Sequence, residues 1–172
     1  VAFGGRILGD AKPKYLNSSD TPVFKKSRNL FALNLARKAS ADSLILCEGY
    51  MDVIALHSAG IENAVATLGT AITPEHARIF SRYTKKVVIS YDSDEAGTNA
   101  ALRAIPVLVK NGFRVKVTQV PDGKDPDEFI KSKGECDMEK FVPYEKLSRK
   151  KKRELDRLRR GTWGSVNPVT RK

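Results

Sequence analysis

From about residue 43 the chain alternates short β-rich runs with helical patterns, and this alternation restricts the fold more than any other feature. Leu44-Ile45-Leu46-Cys47 reads as a buried strand ending at Glu48-Gly49, followed by helical spacing from Met51 to Ala59. Ala64 to Leu68 is a second strand, ended by Gly69-Thr70. Thr73-Pro74-Glu75 is a helix start, with a capping Thr, Pro in the first turn and an acid behind it. Val87 to Ser90 is a third strand, closing on Tyr91-Asp92-Ser93-Asp94, and Glu95 to Lys110 is the most helix-like stretch, ended by Asn111-Gly112. Val115 to Val120 is a fourth strand, and a short helix is expected from about Pro126 to Ser132. Strands and helices in strict alternation imply parallel strands joined by crossover helices. Active sites in such sheets lie outside the carboxyl ends of the strands. Glu48, Gly69-Thr70, Asp92/Asp94 and Asp125/Asp127 all fall there, so the acids are expected to converge on one rim.

The net charge of +11 is segregated along the chain. Residues 1–38 hold eight Lys/Arg against two Asp, residues 39–137 eleven against fourteen acids, and residues 138–172 twelve against four. An acidic middle between basic ends suits a phosphate-rich partner held near a metal-binding centre. Lys12, Lys14, Lys25, Lys26 and Arg28, interleaved with Tyr15 and Phe24, are candidates for phosphate contacts. Val1 to Leu8 and Tyr15 to Ser18 read as strands, and Asn29 to Lys38 as a helix leading into the α/β unit. The stretch 138–172 reads as a basic tail, an exposed helix followed by a loose end. Cys47 and Cys136 stand far apart without a CxxC pattern, which argues against zinc and for a reducing cytoplasm. No apolar run reaches the roughly 18 residues of a membrane span. The opening residues lack the pattern of a secretory signal, and a start at Val1 rather than Met suggests a fragment.

Asp92-Ser93-Asp94 is the central chemical candidate. Two carboxylates at i and i+2 just past a strand can turn toward one ion, and Mg²⁺ takes one or two carboxylates while keeping places for water and phosphate. Taken alone the pair suits helix capping better than metal binding. Like charges this close repel without a cation, and Gly97 lets the following helix approach closely. Glu48 is a candidate general base, with Asp52 one helical turn further on. Asp125 and Asp127 form a second pair, for which capping around Pro126 is the alternative. His57 and His76 are read as ordinary helix residues, and Cys47 as a core residue.

These residues carry a resemblance. Leu46-Cys47-Glu48-Gly49-Tyr50-Met51-Asp52-Val53 and Ala66-Thr67-Leu68-Gly69-Thr70-Ala71 resemble the first half of the Toprim domain of bacterial replicative primases, the DnaG type. Tyr91 to Gly97 resembles its DxD motif, and Pro121 to Asp127 a further acidic motif particular to primases. Lys12-Pro13-Lys14-Tyr15-Leu16-Asn17-Ser18 and Phe24-Lys25-Lys26-Ser27-Arg28 resemble basic segments of the same polymerase domain. The resemblance implies an α/β Toprim fold, with a mainly parallel four-stranded sheet and flanking helices over 41–137. A remnant of a small basic α+β subdomain precedes it over 1–40, and the tail over 138–172 does not resemble primase.

The resemblance further implies template-directed synthesis of short RNA on single-stranded DNA, using NTPs and Mg²⁺ or Mn²⁺. Glu48, Asp92 and Asp94 would be catalytic, with Asp52, Asp125 and Asp127 completing a metal site. Lys12, Lys14, Asn17, Lys26 and Arg28 would contact nucleotide or template. The family's zinc-binding domain and its module for the replicative helicase are absent from this sequence. Three alternatives stay open: another Toprim enzyme (a topoisomerase, recombination factor or nuclease), a phosphoacceptor signalling domain, and a non-catalytic nucleic-acid-binding fragment.

Overall fold

Alternating apolar side chains decide the architecture of the computed structural model, which describes residues 2–8, 12–13, 15–39, 41–92, 94–119 and 142–143. In strand β3 (Leu44–Cys47), Leu44 and Leu46 pack into one core, while Ile45 and Cys47 pack into another on the opposite face. The same two-residue period divides β4 (Ala64–Ala66) and β5 (Lys86–Ser90): Val65, Val87 and Ile89 join the first core, Ala64, Ala66 and Val88 the second. A sheet buried on both faces needs helices on both. Helix α2 (Tyr50–Ser58) covers the second core with Val53 and Leu56. Helices α3 (Pro74–Phe80) and α4 (Glu95–Lys110) cover the first with Ala77, Phe80, Ala101, Ala104 and Leu108.

The strand order is β4-β3-β5-β6-β7, with β6 at Arg114–Gln119. The first four strands are parallel, as the alternation in sequence requires. The short helix expected at 126–132 lies outside the described residues. So does most of the stretch expected to be a tail, but Val142–Pro143 forms strand β7, antiparallel to β6. This fifth strand was not legible in the sequence, because two residues carry no period. Among the described residues no helix is long and apolar enough to cross a membrane.

Strands β1 (Gly4–Arg6) and β2 (Tyr15–Asn17) form a separate antiparallel hairpin, and a 3₁₀ turn follows at Lys26–Arg28. The helix expected over 29–38 is shorter, α1 at Leu33–Ala36. Its lead-in is claimed instead by the sheet, since Phe31 exchanges two backbone hydrogen bonds with Ala66.

Buried His76 departs from the reading as an ordinary helix residue. It is 0% exposed, and burial lowers its pKa below the usual 6.5, against the opposing pull of carbonyl contacts and Glu75. The unfolded chain therefore binds the extra proton more readily than the native one. Stability from this group is complete above pH 6.5 and falls as pH drops toward the lowered native pKa, by at most about 1.4 kcal/mol per pH unit. Denaturant midpoints measured from pH 7.5 to 5 are expected to show this slope in the parent and a shallower one in His76→Gln.

Candidate active site

The sheet order reverses between β3 and β5, because the chain runs from β3 to β4 on one side and then returns to β5 on the other. A crevice opens at the carboxyl ends of strands where the order reverses. Cys47 of β3 stands opposite Ser90 of β5, so Glu48 and Tyr91-Asp92 leave the sheet side by side on the two lips of that crevice. Glu48 and Asp92, two of the acids expected on one rim, leave the sheet at the same edge.

The approach of α4 to Asp92 depends on a glycine. A Cβ on Gly97 would lie 2.3 Å from the Asp92 carbonyl oxygen and 2.9 Å from the Asp92 carbonyl carbon and amide nitrogen. Only glycine lets the first turn of α4 sit against the Asp92 backbone. Asp94 is the N-cap of α4, and its Oδ1 accepts a hydrogen bond from the Gly97 N–H at 2.7 Å. Capping and metal binding are therefore not exclusive here, since Asp94 keeps a second carboxylate oxygen and is exposed.

Burial, then the charges of Asp52 and Asp92, push the Cys47 thiol well above its usual range. Asp52 is 7% exposed and turns back on its own helix start, its Oδ2 accepting from the Gly49 N–H at 3.1 Å. Tyr91 is likewise raised, by burial first and then by Cys47 and Glu48. Glu48 is exposed and lines a cavity of about 490 Å³ with Thr70, Tyr91 and Arg103 of α4. Arg103 was not singled out in the sequence, where it reads as one more charge on a helix face.

Among the described residues, no three His, Cys, Asp or Glu side chains come together as an ion's ligand set. The donor chemistry nevertheless fits Mg²⁺ or Mn²⁺. Asp92 and Asp94 offer hard oxygens from one turn, and such ions need only one or two protein carboxylates. Asp125 and Asp127 lie outside the described residues.

The hairpin docks beside the start of α2 and at Gly69 after β4. Tyr15 packs edge-on against Tyr50 at the start of α2, with ring centroids 5.2 Å apart. Asn17 wedges between Gly4 and Gly69: added Cβ atoms would meet its Oδ1 at 2.9 Å and its Nδ2 at 3.1 Å. Gly69 has φ +73, so a side chain there would be strained as well as crowded. The Asn17 Oδ1 is buried without a hydrogen-bond partner. Lys26 is half-buried, while Lys12 and Arg28 are exposed; Lys14 lies outside the described residues.

Comparison with known proteins agrees with this arrangement. The Toprim-like family model matches residues 45–130, and a model of the N-terminal domain of the DNA primase catalytic core matches residues 1–37. The DNA primase of Clostridium acetobutylicum is 54% identical over 135 residues, covering 78% of this chain and 23% of that protein. The DNA primase of Aquifex aeolicus is 47% identical over 145 residues, covering 83% of this chain and 29% of its own length. The chain thus spans about a quarter of these relatives. The solved zinc-binding and RNA polymerase domains of the Aquifex aeolicus primase superpose with a TM-score of 0.79 at 42% identity, covering 91% of this chain and 42% of that one. A DnaG primase catalytic domain bound to single-stranded DNA gives a TM-score of 0.72 at 41% identity, covering 83% and 48%. The strand-end acids, the close approach of α4 to Asp92 at Gly97 and the docked β1–β2 hairpin occur together because this chain belongs to the Toprim family of DnaG-type bacterial DNA primase catalytic cores.

Proposed function

We propose that the chain is the nucleotidyl-transfer core of a primase, joining ribonucleotides on a single-stranded DNA template. The observation that carries this reading is the register of β3 against β5, which sets Glu48 and the Asp92 turn on facing lips of one crevice. In the reaction a ribonucleotide 3′-hydroxyl attacks the α-phosphate of an incoming NTP and pyrophosphate leaves. Asp92 and Asp94 would hold Mg²⁺ or Mn²⁺, with Asp52, Asp125 and Asp127 supporting the site. The ion, when bound, neutralises charge on the attacking and leaving oxygens. Glu48 is assigned the proton of the attacking hydroxyl or a place beside the ion. Lys12, Lys14, Lys26 and Arg28 bind phosphates, and Asn17 contacts nucleotide or template.

Dinucleotide synthesis from NTPs on single-stranded DNA is the test. Template-dependent product in Mg²⁺ or Mn²⁺ supports the reading. Strand cleavage or relaxation of supercoiled DNA in its place favours another Toprim enzyme, and DNA binding without chemistry favours a non-catalytic fragment. Lys14→Ala with Lys26→Ala should also lower the slope of log affinity against log salt by roughly 1.4, about 0.7 per lost contact to single strands. An unchanged slope would remove both lysines from the interface.

A further inference from the structure

The 3₁₀ turn at 26–28 carries Lys26 and Arg28, and its carbonyls are held by two residues at the start of α3. The Thr73 Oγ1 donates to the Ser27 carbonyl at 2.8 Å. The His76 Nε2 lies 2.9 Å from the Lys26 carbonyl and 3.1 Å from the Asn29 carbonyl. Its other nitrogen settles the tautomer. Nδ1 accepts from the Thr73 backbone N–H at 3.2 Å and so bears no proton, which puts the proton on Nε2 as a donor shared by both carbonyls. The His76 backbone N–H in turn donates to the Thr73 Oγ1 at 3.1 Å. In this capping box histidine stands in the N3 place usual for Glu or Gln, and its ring reaches beyond the box to another segment.

Among the described residues, the turn's other hydrogen bonds are local. Arg28 N–H and Asn29 Nδ2 donate to the Lys25 carbonyl, Asn29 N–H donates to the Lys26 carbonyl, and Lys26 N–H donates to Asp20. Hydrogen bonds from the turn itself to the α/β core therefore run through Thr73 and His76, and the next anchor along the chain is the Phe31–Ala66 pairing. Helix α3 is itself fixed, since Ala77 and Phe80 are 0% exposed in the core. It follows the carboxyl end of β4, so the clamp refers the basic turn to the rim that bears the acids.

We infer that His76, helped by Thr73, is a positioning residue that holds the Lys26–Arg28 turn where its cations meet nucleic-acid phosphates. This rests on the proposed phosphate role of Lys26 and Arg28. Without the clamp the two cations remain on the chain, but the turn is tethered through its flank at the Phe31–Ala66 pairing rather than at its own carbonyls.

The paired variants His76→Asn and His76→Gln separate positioning from bulk stability. Asparagine offers an acceptor near Nδ1 but nothing at Nε2. Glutamine reaches far enough to place an N–H near the two carbonyls. Binding of an oligo-dT strand to the full chain is measured by fluorescence anisotropy across a salt series, below both variants' melting midpoints. The Lys26→Ala/Arg28→Ala double variant is expected to lower the salt slope by roughly 1.4. His76→Asn should lower it by a comparable amount and add nothing when combined with that double variant, while His76→Gln stays near the parent. The inference is overturned if Lys26→Ala/Arg28→Ala lowers the slope while His76→Asn and His76→Gln both keep the parent value. If Lys26→Ala/Arg28→Ala itself changes nothing, the phosphate reading falls first and the clamp's role falls with it. Should His76→Asn not fold, Thr73→Val carries the test: a lowered slope supports the clamp and a parent slope refutes it.

Discussion

Gly97→Ala is expected to destabilise the protein by about 3 kcal/mol and to abolish divalent-ion binding in whatever fraction remains folded. The new methyl would enter to 2.3 Å from the Asp92 carbonyl oxygen, with two further Asp92 backbone atoms at 2.9 Å. Backbone cannot swing aside as a side chain can, so either α4 retreats or the turn carrying both aspartates unwinds. Alanine's better helix propensity, about 1 kcal/mol over glycine, works in the opposite direction and is the smaller effect. Urea denaturation measures the loss directly. A Gly97→Ala protein as stable as the parent would show that α4 does not pack against the DxD turn.

The second large effect separates the capping by Asp94 from its proposed hold on the ion. Asn is as good an N-cap as Asp, so Asp94→Asn should stay within about 0.5 kcal/mol of the parent. Losing an ionised oxygen from the ion's shell should still lower dinucleotide synthesis at least about 100-fold. Asp94→Ala should lose the activity and about 1 kcal/mol besides, because the Gly97 N–H loses its acceptor. Equal activity in the parent and Asp94→Asn would leave Asp94 as a cap alone.

The parts of the structure that follow from periodicity were legible in the sequence. Leu44–Cys47 and Glu95–Lys110 have the bounds expected, because a four-residue apolar run and a sixteen-residue amphipathic one leave little freedom. The rim followed from topology alone, once the strands were taken as parallel. The close approach at Gly97 could also be anticipated from a glycine in the first turn of the helix after the DxD.

What escaped the sequence depends on partners distant along the chain. The helix expected from Asn29 begins only at Leu33, since Phe31 pairs with Ala66, thirty-five residues away. His76 looked ordinary because its Nε2 partners, Lys26 and Asn29, are fifty and forty-seven residues away. The one local signal was a capping Thr three residues before a histidine. Sequence order likewise said nothing of Arg103 lining the cavity beside Glu48. Alternation brings residues to an edge; only packing decides which neighbours they meet there.

Titrating Mn²⁺ into the full chain, followed by the loss of its free-ion electron paramagnetic resonance signal, tests whether the strand-end carboxylates hold a divalent ion. Saturable binding in the parent, lost in Asp92→Asn with the fold intact, is the predicted result. A parent that leaves the Mn²⁺ signal unchanged, or an Asp92→Asn variant that binds as the parent does, would contradict it.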